Sequence, residues 1–137
     1  MKKLILLFAL LVYSFVTFAQ TPEYNVVFDI TSGDTNAQKT VIRQVKGISG
    51  ERKDAKLEVV IYGGAIAFVL KDQSKFSADI GELSRNNRAS FKVCAGTMKR
   101  NNVRPDQLVD GVEIVPDGIY EIISKQKLGW GYIKISP

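Results

Sequence analysis

From Tyr24 onward, short β-branched or aromatic runs alternate with segments of helical periodicity, and that alternation limits the chain to very few folds. Tyr24 to Ile30 has strand composition and ends in Thr31-Ser32-Gly33-Asp34, a turn cluster suited to capping a helix. In the helix that follows, Val41, Ile42, Val45 and Ile48 recur on one face, and Lys39, Arg43 and Lys46 hold the other. Gly47 and Gly50 weaken its end, and Glu51 to Asp54 is a polar connection. Leu57 to Tyr62 is a second strand. Gly63-Gly64 breaks the pattern before Ala65 to Leu70, which is apolar nearly all round, as a short buried helix would be. Phe76 to Asn86 reads as a helix with Phe76, Ile80 and Leu83 inward, and Ala89 to Val93 is a third strand. Cys94 to Arg100 begins a short helix that stops before Pro105, because the residue before proline disfavours helical angles. Gly111 to Val115 is the fourth strand, Ile119, Ile122, Ile123 and Gln126 line a last helix, and Trp130 to Ile135 closes the series. Such alternation calls for a parallel-dominated sheet of about five strands with helices on both faces, a three-layer α/β/α domain.

The segment ahead of this pattern has a different character. Lys2 and Lys3 precede an apolar stretch from Leu4 to Val16, and Thr17-Phe18-Ala19 has the small-x-small form of a cleavage site. Residues 1–19 are therefore expected to be a secretory signal peptide, and residues 20–137 a single domain, periplasmic or secreted, with no stable membrane anchor after cleavage. The formal net charge of +5 falls by two when Lys2 and Lys3 leave. What remains is spread along the chain among Glu51, Asp54, Glu82 and Asp106, without the dense basic stripe and interleaved aromatics that nucleic-acid binding requires.

Side-chain inventory narrows the chemistry further. The chain has no histidine and one cysteine. A Ser/His/Asp hydrolase is thereby excluded, no internal disulfide can close, and only carboxylates remain as ordinary metal ligands, so neither metal nor cofactor is expected. Cys94 stands where the third strand gives way to a helix, so backbone N–H groups and the helix dipole favour its thiolate, and it is the candidate nucleophile. In open parallel sheets the working crevice lies beyond the carboxyl ends of the strands. Three turns should meet there: Ile30 to Asp34, Tyr62 to Gly64, and Val93 to Thr97. Candidate binding residues are Gly63 and Gly64, whose N–H groups can face an anion, Gly96, which lets a bulky partner approach, and Thr97, which can cap the helix or donate to a thiolate. Lys71, Lys99 and Arg100 are the cations that would lower the thiol pKa if they reach the crevice. Asp34 and Asp117 are placed as caps, Asp29 as a strand-end turn former, and Tyr62 as an aromatic covering the sheet edge.

The stretch Val93-Cys94-Ala95-Gly96-Thr97-Met98, followed by Pro105, Leu108, Val112 to Gly118, and Gln126 to Ile133, resembles the DsrE/DsrF-like family of small sulfur-relay proteins, and within it a branch of short exported members. The likeness extends upstream through Val26 to Ile48 and Leu57 to Leu70. It implies a flavodoxin-like α/β/α core, assembly as a homo- or hetero-oligomer, and a cysteine at the position of Cys94 that carries sulfur as a persulfide and passes it to the thiol of a partner protein. Many relatives carry His-Gly after the second strand, where this chain has Tyr62-Gly63, so a histidine base has no counterpart here. Relay in the family is cytoplasmic, so an exported member needs another sulfur donor. The alternative expectation is a non-catalytic ligand-binding or structural oligomer subunit with a passive cysteine, sharing Ala65 to Leu70 and Leu128 to Ile135 between copies.

Overall fold

A computed structural model describes Met1 and residues 22–136; apart from Met1, the expected signal peptide lies outside the described residues. The elements run β1 (Asn25–Ile30), α1 (Thr35–Glu51), β2 (Lys56–Ile61), a 3-10 helix (Gly63–Val69), α2 (Ser77–Arg85), β3 (Ser90–Cys94), α3 (Ala95–Arg100), a 3-10 turn (Pro105–Gln107), β4 (Val112–Val115), α4 (Gly118–Lys127) and β5 (Gly131–Ile135). The described residues form one five-stranded sheet in the order β4-β3-β2-β1-β5, with every neighbouring pair parallel. This is the α/β sheet the alternation calls for. Asp34 and Asp117 cap their helices as expected: the Asp34 carboxylate accepts the N–H groups of Asn36 (2.7 Å) and Ala37 (3.1 Å), and Asp117 those of Ile119 (2.8 Å) and Tyr120 (3.2 Å).

Strand order makes the two faces of the sheet unequal. From β1 to β4 the chain moves in one direction across the sheet, so right-handed crossovers stack α1, the long 3-10 helix, α2 and α3 on one side. The last connection returns past β1 to β5 and lays α4 on the other. On the first side Phe28, Ile30, Val59, Ile61, Phe91 and Val93 are buried under Val41 and Val45, Phe68, Ile80 and Met98. At roughly 1.5–3 kcal/mol for each large side chain removed from water, this layer dominates the stability. It also carries α1 through Gly47 and Gly50 to Glu51: buried Val41, Ile42 and Val45 outweigh the ~1 kcal/mol each glycine costs.

The second face is largely polar. Asp29, Glu58, Lys92, Tyr132 and Lys134 alternate along its strands with Val27 and Val60. Its apolar cluster consists of Val27, Val60 and Ile122 of α4, with Tyr62 and Trp130 packed alongside. Here the expected helix face is corrected. Ile119 and Ile123 stand 56% and 42% exposed, and the residues turned toward the sheet are Gly118, Ile122 and Lys125.

Candidate functional site

Cys94 is the last residue of β3 and the N-cap of α3, with extended backbone (φ −71°, ψ 123°). Its side chain belongs to the sheet's polar face, beneath the start of α4. A Cβ built on Gly118 would lie 3.3 Å from Cys94 Cβ, 3.2 Å from Val60 Cγ1 and 3.5 Å from Tyr62 Cδ1, so the first turn of α4 reaches the cysteine because residue 118 has no side chain. Two helix starts, of α3 and α4, thus converge on Cys94, a residue 9% exposed. Burial pushes the thiol pKa up. Against that work the main-chain N–H groups of Gly118, Thr97 and Gly96 and the Thr97 hydroxyl, and together they leave it below the ordinary thiol value.

Thr97 has a defined proton to give. Its side chain is fully buried, and its hydroxyl oxygen accepts both the Gly63 N–H (3.1 Å) and an Arg100 guanidinium N–H (3.1 Å). With both lone pairs engaged, the hydroxyl has only its proton left to give. Arg100 folds back along α3 toward the cysteine. One of its terminal nitrogens and Cys94 Sγ each lie 3.6 Å from the point where a Cβ on Gly96 would sit, so the missing side chain leaves a gap open between cation and sulfur.

The three predicted turns do meet. The Gly63 N–H bond to Thr97 joins the second turn to the third. Gly33 packs so tightly on the Gly64 carbonyl that an added Cβ would come within 2.9 Å of its oxygen, which joins the first turn to the second. Gly63 takes the left-handed conformation (φ +59°) that glycine tolerates. Its N–H is therefore committed to Thr97, and Gly64 serves the turn's close packing. Lys71 turns away to Asp110 (3.1 Å).

Asp29 departs from the turn-former role expected of it. It is 4% exposed within β1, and its carboxylate accepts the Tyr62 hydroxyl (3.3 Å), the Tyr132 hydroxyl (2.7 Å) and the Lys134 ammonium (3.0 Å). Lys134 also donates to Thr31 Oγ1 (3.0 Å), which ties the first turn to this cluster. Burial, then the Asp29 charge and hydrogen bond, and last the neighbouring Cys94, push the Tyr62 phenol up to about 12. The hydrogen bond to Asp29, then burial, do the same for Tyr132, also to about 12. Tyr62 is thus a neutral phenol standing between the cysteine and a buried carboxylate.

Residues 25–135 match the DsrE/DsrF-like family. The chain belongs to that family. A solved structure of a protein of unknown function, MTH1491 from Methanobacterium thermoautotrophicum, is similar over 81% of this chain and 98% of its own, at 30% identity and a TM-score of 0.76. The ychN protein from E. coli shares the fold at 13% identity and a TM-score of 0.66, with 82% of this chain and 98% of that one covered. A conserved protein of unknown function, BT1422 from Bacteroides thetaiotaomicron, does so at 11% identity and a TM-score of 0.67, covering 85% of this chain and all of the other. No curated protein matches.

For this DsrE/DsrF-like chain, two site features escaped sequence reasoning. Gly118 reaches Cys94 from a distant helix; its trace is Asp117-Gly118, a cap-and-glycine pair just after a strand that ends on the same rim. The Asp29 cluster has a plainer trace, a carboxylate inside an otherwise apolar strand.

Proposed function

We propose that this DsrE/DsrF-like protein is an exported sulfur-handling protein, of the short exported branch of the family, in which Cys94 carries sulfur as a persulfide and passes it to a partner thiol. The observation that carries the reading is the place of Cys94 where the first turns of two helices meet, with Gly118 of one packed against its Cβ and Gly96 of the other beside its sulfur, a setting that holds the thiol below its ordinary pKa. Family membership supports a role in sulfur relay in general. The Lys2 and Lys3 start, the apolar stretch and the Ala19 site support cleavage after residue 19 and a periplasmic or secreted domain over residues 20–137.

In the loading step the Cys94 thiolate attacks the terminal sulfane sulfur of a persulfide or polysulfide donor. A sulfur–sulfur bond forms at Cys94, the donor's own is broken, and the shortened donor leaves as a thiolate. In the unloading step a partner thiolate attacks the outer sulfur, and the bonding electrons return to Cys94 as its thiolate. The two exchanges are redox-balanced and need no metal or further oxidant. Gly96, Thr97 and Gly118 hold the anion before and after each step, while Arg100, beside the gap over Gly96, faces the negative charge of the outer sulfur.

Intact-mass measurement after brief exposure to polysulfide tests the reading. Wild-type protein should gain increments of ~32 Da that a reductant removes, and Cys94→Ser should gain none. Loading of the folded Cys94→Ser variant, or none on the folded wild type, would sink it. A homo-oligomeric state is also proposed, supported by the apolar residues Ile119, Tyr120 and Ile123 that α4 turns to solvent. That surface alone favours the second reading, an oligomer subunit with a passive cysteine, which the absence of loading would leave standing.

A further inference from the structure

α4 meets the sheet along one stripe, Gly118, Ile122 and Lys125, the i, i+4, i+7 spacing that puts side chains on a single helix face. At its start the helix presses on Cys94, Val60 and Tyr62. In its middle only Ile122 is buried, against Val27 and Val60. At its far end Lys125 Nζ lies 3.0 Å from Glu58 Oε2, and Glu58 is 2% exposed. The same Glu58 oxygen accepts the Ser90 hydroxyl at 3.2 Å. Lys125 is held sideways by Glu121 at 3.6 Å and by the Trp130 ring, whose centroid is 4.6 Å from Nζ.

A buried ion pair is a poor source of net stability, because desolvating the two charges offsets their attraction. Glu58 sharpens that point: its other carboxylate oxygen is buried with no hydrogen-bond partner among the described residues. What the pair does supply is direction. An ammonium fixed by a carboxylate, a second carboxylate and an aromatic face sets both the rotation of α4 about its axis and its position along the sheet. Hydrophobic contact through Ile122 alone would leave both loose. Gly118 lies two turns away, about 10 Å along the same rigid helix, so a slip at Lys125 arrives undiminished at the turn that packs on Cys94.

We infer that Glu58 and Lys125 are positioning residues for the thiol: their pair, buried on the Glu58 side, clamps the far end of α4 to the sheet and thereby holds the first turn of the helix, at Gly118, on Cys94. This rests on reading Cys94 as a reactive thiol. Neither residue touches the sulfur; both act through the helix.

The test is the pH profile of iodoacetamide alkylation of Cys94 in the folded protein, for wild type, Glu58→Gln, Lys125→Met, Lys125→Arg and Ile122→Ala, with circular dichroism as the check on folding. Glu58→Gln keeps the size of the side chain and strands no charge, so it tests the inference even if Lys125→Met, which leaves a buried carboxylate unpaired, fails to fold. Alkylation at neutral pH should be about three- to tenfold slower in Glu58→Gln and Lys125→Met, and should recover fully at alkaline pH, where the thiol is ionised in every variant. Lys125→Arg should stay close to wild type. Ile122→Ala should lower the melting temperature without moving the profile, which separates positioning from stability. Wild-type and Glu58→Gln profiles that coincide in folded protein would overturn the inference and leave the reactive cysteine intact. A wild-type profile like that of a free thiol would remove both.

Discussion

At the residue scale, the chemistry of Cys94 depends on which hydrogen-bond capacities its neighbours have left to give. Thr97 is the clearest case, since Gly63 and Arg100 occupy its lone pairs and only its proton remains. Replacing Thr97 by Val removes that proton and leaves the Gly63 N–H without an acceptor. Thr97→Val should therefore raise the thiol pKa and cost about 1–3 kcal/mol in urea unfolding, while Thr97→Ser keeps most of both. Asp29 sets a second constraint through the tyrosines it binds. Tyr62 and Tyr132 ionise only at about 12 in the folded protein, against about 10 in an unfolded chain. A phenol with a raised folded pKa stabilises the fold below its unfolded pKa and loses that contribution as pH rises through the folded one. Stability should hence fall between about pH 10 and 12, with tyrosinate absorbance from these two residues appearing late, and Tyr132→Phe should reduce the loss. A carboxylate placed inside β1 rather than at a turn was not legible beforehand, because strand residues of one face are partnered by strands remote in sequence. Asp29 finds Lys134 only once β5 has returned beside β1.

At the element scale, the start of α4 is what completes the site. Strands and helices were legible from β-branched runs and helical spacing, and so was the place of Cys94 on the rim, because a strand-to-helix junction in a parallel sheet always opens there. The inward face of α4 was not. Its isoleucines recur at helical spacing, but the sheet beneath offers Asp29, Glu58 and Tyr132, and a polar face rewards a glycine that fits and a lysine that pairs more than it rewards isoleucine. Gly118→Ala probes that fit. The new methyl would meet Val60 Cγ1 at 3.2 Å and Cys94 Cβ at 3.3 Å, so the helix or these side chains must give by a few tenths of an ångström. The variant should lose about 1–3 kcal/mol by chemical denaturation, and its Cys94 should alkylate more slowly near neutral pH than wild type.

For the whole molecule, the unequal faces assign separate tasks to the two layers. The apolar layer under α1, α2, α3 and the long 3-10 helix holds the fold, and the thinly covered polar layer carries the thiol and the charged clusters. The outer surface of α4, with Ile119 and Ile123 exposed, is where the proposed assembly would form. Ile119→Glu with Ile123→Glu should reduce the mass measured by light scattering after size exclusion to that of one chain, with circular dichroism unchanged; an unaltered mass places the contact elsewhere. The strand order 4-3-2-1-5 ties assembly and chemistry together, since the helix that would face a second copy also begins at the sulfur. The central claim, that this fold builds a thiolate at its rim, is tested most directly by following thiolate ultraviolet absorbance against pH in the folded protein, with Cys94→Ser subtracted to remove the tyrosines. The account predicts a transition below the ordinary thiol value of 9.0 that moves back up on unfolding in denaturant; a folded transition at or above that value would contradict it.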